Sequence, residues 1–339
     1  MKTRLEVIKR QFLKALPLDK VEFDGFFKNL DWNGQEKFIQ STILHTLNVN
    51  KPVRVDYQIS FIKHAILQLE VNNNEEIHDL LYEKLAEKLN EDKPEFSYKH
   101  FVIHDETDAI TIKESNSLIQ DGTTGLRLWP AALALGEFIL QNRDIFDGKT
   151  ILEIGSGCTG FVGLLLLKAC QPKMVLLSDG HDAVVDNLIE NVNLNLEKAE
   201  VKSESKSILI RKHLKLKSSG AEFAVLNMAW EDVAKHEVEL KNFCNPNVLI
   251  AADVVYDDTI FDALISCINQ LFEMYGASMN LYLSTTIRNP KTYQQFCHLL
   301  QNNSFKTTEE DKKFGDISTF EASTEIKILR ISKTQATHA

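Results

Sequence analysis

The chain has 339 residues, 44% hydrophobic and 25% charged, the proportions of a folded protein with room for two or three domains. Its 14 glycines and 7 prolines are too few for a collagenous or disordered chain. A formal net charge of −10 argues against a nonspecific nucleic-acid binder, which needs basic stripes to replace phosphate counterions, and leaves room for a basic protein partner.

From the N-terminus, Leu5, Ile8, Phe12 and Leu16 recur at helical spacing up to Pro17. Tyr57, Phe61, Ala65 and Leu69 repeat the pattern, as do Ile77, Leu80, Leu81, Leu85 and Leu89 after the polar break at Asn72, Asn73 and Asn74. This predicts a helical N-terminal domain over 1–95, suited to capping or docking and without a catalytic constellation. The period then changes. Phe101 and Ile103, then Ile110 and Ile112, alternate with polar residues and predict a β-hairpin at 98–115 that leads into a second domain, 96–339. There the pattern is strand and helix in turn, with helices over 126–140, 159–169, 183–196, 260–275 and 291–302. Strands are predicted at 150–154, 174–178, 223–228, 248–252, 280–285, 305–308 and around Ile326 and Ile328. Residues 198–220, rich in Lys and Ser, read as a long exposed loop. The order implies an α/β fold with a mostly parallel sheet covered on both faces and a terminal antiparallel hairpin.

The five cysteines, Cys158, Cys170, Cys244, Cys267 and Cys297, are well separated, odd in number and form no CxxC. No metal site and no disulfide framework is expected. Free thiols suit a reducing compartment, so a cytoplasmic protein is expected, with the nucleus left open as a further location. Charges scattered through the first 20 residues leave no signal-peptide core. No apolar run nears the ~20 residues of a membrane span. Neither a membrane nor a nucleic-acid partner is expected, and the chain is expected to be a monomer.

Thr150 to Gly160, TILEIGSGCTG, carries the strongest signal. A buried strand runs into Gly155, Ser156 and Gly157, and a helix begins near Thr159. Glycines permit a sharp turn and close approach to a ligand, and the helix start offers free N–H groups. The match to GxGxxG is weak alone and also fits a plain strand–helix turn. Asp179, 24 residues after Gly155, ends the next strand, where a carboxylate can accept from ribose hydroxyls. It could also simply cap a helix. Glu153, two residues before Gly155, and the lack of a hydride-transfer partner favour S-adenosyl-L-methionine over a nicotinamide dinucleotide.

TGLRLWPAALALGEFI, ILEIGSGCTGFVGLL, LLSDGHDAVVDNLIENVNLN, AWED, NVLIAADVVYDD and STTIRNPKTYQQF follow in order. Together they resemble the seven-strand class I methyltransferases of the family-16 type, largely protein-lysine methyltransferases. The resemblance implies a Rossmann-like seven-strand sheet, S-adenosyl-L-methionine as cofactor and a protein substrate. Within the group it points to translation elongation factor 2. It places Trp129 beside the cofactor, where the same ring could instead anchor the helix after Pro130. It sets Gly155, Ser156 and Gly157 against the methionine part, Asp179 at the ribose, Trp230 at adenine and Ala251 as a small lining residue. Asp253 and Tyr256, the D-x-x-Y pair, fall on the substrate side, Asp253 to align the lysine and Tyr256 to shape its channel. Cys158 departs from the small apolar residue expected in the loop, without a partner histidine in sequence. A small-molecule methyltransferase would share the cofactor residues, and a noncatalytic adapter would share the fold.

Overall fold

The computed structural model describes residues 3–28, 30–72, 76–104, 108–117, 125–196, 199–203, 207–311, 315 and 324–334. The chain divides into two compact units, Met1–Leu118 and Ile119–Ala339.

The first unit holds α1 (Arg4–Leu13), α2 (Trp32–Ser41), α3 (Thr46–Asn50), α4 (Val55–Val71) and α5 (Asp79–Leu89), then β1 (Phe96–Phe101) and β2 (Ile110–Ser115). Thr3 and Asp31 cap α1 and α2 through Glu6 N–H and Gly34 N–H. Phe61 meets Phe12 at 4.6 Å and Phe38 at 5.6 Å between ring centroids. All three rings are fully buried, each contributing about 2–3 kcal/mol of burial. Helix α1 stops short of Pro17 because Ala15 turns left-handed at φ 51°. Helix α2 was not legible in sequence, because a core position is filled by Gln35. Its side chain donates to the carbonyls of Leu30 and Glu76 and accepts from His78 N–H.

The hairpin pairs Phe96 with Ser115 through Phe101 with Ile110, as expected, but it belongs to the first unit. Tyr98 N–H donates to Pro52, Arg10 donates to the carbonyls of Val102 and His104, and the His100 ring lies between Thr111 and Lys51 O. These ties move the boundary from 95 to 118. Part of the polar stretch between the strands, 105–107, lies outside the described residues.

The second unit holds α6 (Pro130–Gln141), β3 (Thr150–Ile154), α7 (Phe161–Ala169), β4 (Met174–Asp179), α8 (Asp182–Asn195), β5 (Glu200–Ser203), β6 (Ile210–Lys215) and β7 (Glu222–Asn227). It continues with α9 (Glu237–Phe243), β8 (Val248–Ala252), α10 (Phe261–Tyr275), β9 (Asn280–Thr286), α11 (Pro290–Asn302), β10 (Phe305–Glu309) and β11 (Ile326–Lys333). One sheet runs β10-β11-β9-β8-β3-β4-β7-β6-β5. Its central strands β9, β8, β3, β4 and β7 are parallel, and β10–β11 is the antiparallel terminal hairpin. The sheet is thus the Rossmann-like seven-strand array plus two more strands.

Those two strands correct the loop expected at 198–220. Ile210 and Leu214 are buried where β6 pairs antiparallel with β7, and Leu209 is fully buried beside them. The lysines that suggested a loop mark a sheet margin, where charge is the usual guard against edge-to-edge association. Among the described residues, no helix is long and apolar enough to cross a membrane.

Candidate active site

Strand order reverses beside β3, with β4 on one side and β8 on the other, and ligands of such sheets bind at this switch point beyond the strands' carboxyl ends. A cavity of about 690 Å³ opens there. Its walls come from the turns after β3, β4, β7, β8 and β9 and from the segment before α6.

The turn after β3 is left-handed at Gly155 (φ 67°), Gly157 (φ 61°) and Gly160 (φ 54°), which is where glycine is needed. Ser156 ties the turn to β4: its N–H donates to Ser178 O at 2.9 Å, and its hydroxyl accepts from Ser178 N–H at 3.1 Å. Cys158 is buried with Leu126 and Val184, so it packs the loop. Asn191 donates to its carbonyl. Glu153 lines the cavity at 2% exposure, and among the described residues its Oε2 has no hydrogen-bond partner. Burial pushes its carboxyl up to about 8, against the lowering effect of the Ser156 hydroxyl and Gly163 N–H, and the nearby Asp179 adds to the rise.

Asp179, at the end of β4, accepts from Gly157 N–H and His181 N–H, both at 3.2 Å. Burial raises its carboxyl while these backbone donors hold it back. Trp230 follows β7 and packs its half-buried ring on the core. Ala251 does not reach the cavity. It is fully buried in the core, and the alternation of β8 brings Ala252 to the wall instead.

Beyond β8, Asp253 takes a left-handed backbone at φ 57°, a conformation that costs energy and concentrates at functional sites. Its N–H donates to Ser284 O at 2.8 Å. One carboxylate oxygen accepts from Thr286 N–H (3.0 Å) and Arg288 (3.1 Å), the other from the Thr286 hydroxyl (3.2 Å) and Arg288 (2.8 Å). Asp253 is therefore a paired carboxylate. The Arg288 guanidinium carbon also lies 5.0 Å from the Trp129 ring centre. Trp129 is extended (φ −99°, ψ 151°) before Pro130, the first residue of α6, as a residue preceding proline prefers. Tyr256 stands at the cavity wall, 52% exposed. The cavity thus gathers Trp129, Glu153, Gly155, Ser156, Gly157, Asp179, Trp230, Asp253 and Tyr256. It adds Arg288, which sequence reasoning left without a role although it follows a strand end within STTIRNP.

The profile of the lysine methyltransferase family matches residues 105–303. The chain belongs to the lysine methyltransferase family. It is 27% identical over 334 residues to human protein-lysine N-methyltransferase EEF2KMT, covering 97% of this chain and 96% of that one. It is 29% identical to its bovine counterpart over 337 residues, 97% and 96% of the two chains. Protein-lysine N-methyltransferase EFM3 of Chaetomium thermophilum is 32% identical over 202 residues, 59% of this chain and 54% of that one.

The protein is a methyltransferase enzyme with S-adenosyl-L-methionine as its cofactor, and the cavity's chemistry fits that molecule. The cofactor is cationic at its sulfonium and ammonium, and Glu153 offers a buried, unpartnered carboxyl oxygen. A Cβ at Gly155 would meet Val254 at 2.8 Å and Trp230 at 3.3 Å, so the packing of the cavity wall itself requires glycine there.

Proposed function

We propose that the protein transfers a methyl group from S-adenosyl-L-methionine to one lysine of translation elongation factor 2, in the cytoplasm. The observation that carries this reading is that the glycine loop with Asp179 and the Asp253–Tyr256 turn open on one cavity. Holding an amine in line with the group it attacks requires that arrangement. The protein-lysine N-methyltransferase relatives support a lysine acceptor. The motif series supports the factor, and the net charge of −10 suits a basic target surface.

The bound cofactor supplies an electrophilic methyl on a sulfonium. Asp179 would accept from the ribose hydroxyls, Trp230 would offer a face to adenine, and Glu153 would meet the cationic end. Trp129 and Tyr256 wall the passage for the lysine stem. Asp253, paired with Arg288, forms the polar end against which the amine is aligned. The amine must be neutral, yet a free lysine has a pKa of about 10.4. Desolvation of the ammonium lowers it, and the proton leaves to water.

The raised Glu153 carboxyl gives this account a pH signature. With its ionisation at about 8, Glu153 keeps its proton near neutrality, whereas a cation beside it favours the ionised form. Binding then releases a proton. Affinity rises as the pH is raised toward 8, by up to about tenfold per pH unit, and levels off above. Calorimetric Kd values across this range will show the rise in the wild type and a flattened profile in Glu153→Gln.

A lysine passage sees one side chain, so discrimination must come from a wider contact. The first unit exposes Leu67 and Val71 on α4 and Tyr82 and Leu89 on α5, apolar side chains open to a large folded substrate. Purified elongation factor 2 will gain methyl groups on one lysine, and a free peptide around that lysine will be modified poorly. Mass spectrometry of factor incubated with the active enzyme tests this. An unmodified factor alongside another modified protein rejects the proposed substrate.

A further inference from the structure

We infer that Arg288 is a positioning residue that, acting through Asp253, sets the charge met by the acceptor amine. The inference rests on the proposed delivery of a lysine to the Asp253 end of the cavity, and not on which protein carries it. Methyl transfer needs a neutral amine, and a bare carboxylate works against that. An opposite charge within about 4–6 Å stabilises the ammonium by roughly 1–3 pH units of titration. Asp253 is buried at 8% exposure, where little water screens it.

Arg288 removes that conflict. Its two terminal nitrogens meet the two Asp253 oxygens at 3.1 and 2.8 Å, the bidentate geometry that a guanidinium fork matches and a lysine does not. With Thr286 donating twice, four donors fill the carboxylate's roughly four acceptor positions. The entering amine meets a balanced ion pair with a fixed edge. The Trp129 ring, 5.0 Å away, gives the guanidinium a further contact. Because the Arg288 side chain is 41% exposed against 3% for Asp253, the arginine can neutralise the carboxylate without itself being desolvated.

The other titratable and charged groups around the cavity do not take this place. Glu153 and Asp179 are carboxyls of the glycine-loop end, with His181 next to Asp179. Glu231 follows Trp230, Arg127 precedes Trp129 by two residues, and Tyr256 carries a phenol raised chiefly by burial. None of these has a bond to Asp253 among those described, whereas Arg288 has two.

The test is the pH dependence of methyl incorporation into lysine by wild type, Arg288→Met and Arg288→Lys. Labelled cofactor and a protein extract lacking the endogenous enzyme are used, with cofactor affinity measured alongside by calorimetry. In Arg288→Met the midpoint of the profile should move up by about one pH unit or more. Incorporation then falls about tenfold or more near pH 7.5 and recovers in alkali, while cofactor Kd stays within about threefold. Arg288→Lys keeps a cation beside Asp253 and should keep the wild-type midpoint. An equal fractional loss at every pH overturns the inference, because Arg288 would then only hold shape. A lower KM with faster transfer near neutrality overturns it too, because Arg288 would then block the passage. If Arg288→Met fails to bind cofactor, Arg288→Lys decides, since a raised midpoint there contradicts the inference. Reading total labelled lysine keeps this result separate from the substrate: an unlabelled elongation factor 2 rejects the factor and leaves the profile to be read on whatever protein is labelled. No labelled lysine at all overturns both.

Discussion

Gly157→Val should weaken S-adenosyl-L-methionine binding by about 100-fold or more, equal to roughly 2.8 kcal/mol, in a protein that remains folded. Among the described residues, a Cβ at Gly157 meets Gly125 O alone, at 3.3 Å, so these residues leave it nearly enough room. The φ of 61° strains a valine by about 1–2 kcal/mol, small against a domain stability of roughly 5–15 kcal/mol. The added side chain instead intrudes on the cavity from its wall and takes space that a bound cofactor would need. Gly155→Val is a less clean probe, because its Cβ also presses Val254 and Trp230. Calorimetry with circular dichroism on the same samples checks the expectation. Near-wild-type affinity in folded Gly157→Val would move the cofactor away from this loop.

Asp253→Asn should leave cofactor Kd within about threefold while lowering the rate of methyl transfer by about 100-fold, the scale of a misaligned reacting group. Asparagine tolerates a left-handed backbone nearly as well as aspartate and keeps the side chain's size, so the turn survives. What it loses is the charge that holds Arg288 in two bonds. Alanine would add the cost of leaving Thr286 N–H and Arg288 without the carboxylate, so asparagine separates chemistry from folding better. Single-turnover rates at saturating cofactor make the measurement. A parallel fall in affinity and rate would put Asp253 in the cofactor shell.

The glycine loop was legible because a strand, three glycines and a distant aspartate each state a backbone requirement in the sequence. The sheet's parallel centre was legible for a similar reason, since β3, β4 and β8 are apolar runs bounded by turns. Other features depended on pairing partners that local periodicity does not reveal. The strands inside 198–220 show few apolar residues, because β5 and β6 lie at a sheet margin, and they declare themselves only by pairing with each other and with β7. The hairpin β1–β2 reads as a lead-in to the sheet, yet its bonds to Arg10, Lys51 and Pro52 place it in the helical unit. Ala251 and Ala252 are indistinguishable as residue types, and only the pleat of β8 assigns Ala252 to the cavity. Arg288 lies 35 residues from Asp253, so the pair that shapes the acceptor end is a tertiary fact.

The most direct test of the central claim follows the methyl group to its destination. The enzyme is incubated with cofactor carrying an isotopically labelled methyl and a protein extract lacking the endogenous enzyme. The protein fraction is then hydrolysed to amino acids and the labelled species identified. The account predicts label in Nε-methylated lysine of the protein fraction, lost in Gly157→Val and strongly reduced in Asp253→Asn. Label confined to small molecules, or appearing in methylated arginine or histidine with lysine unlabelled, would contradict it.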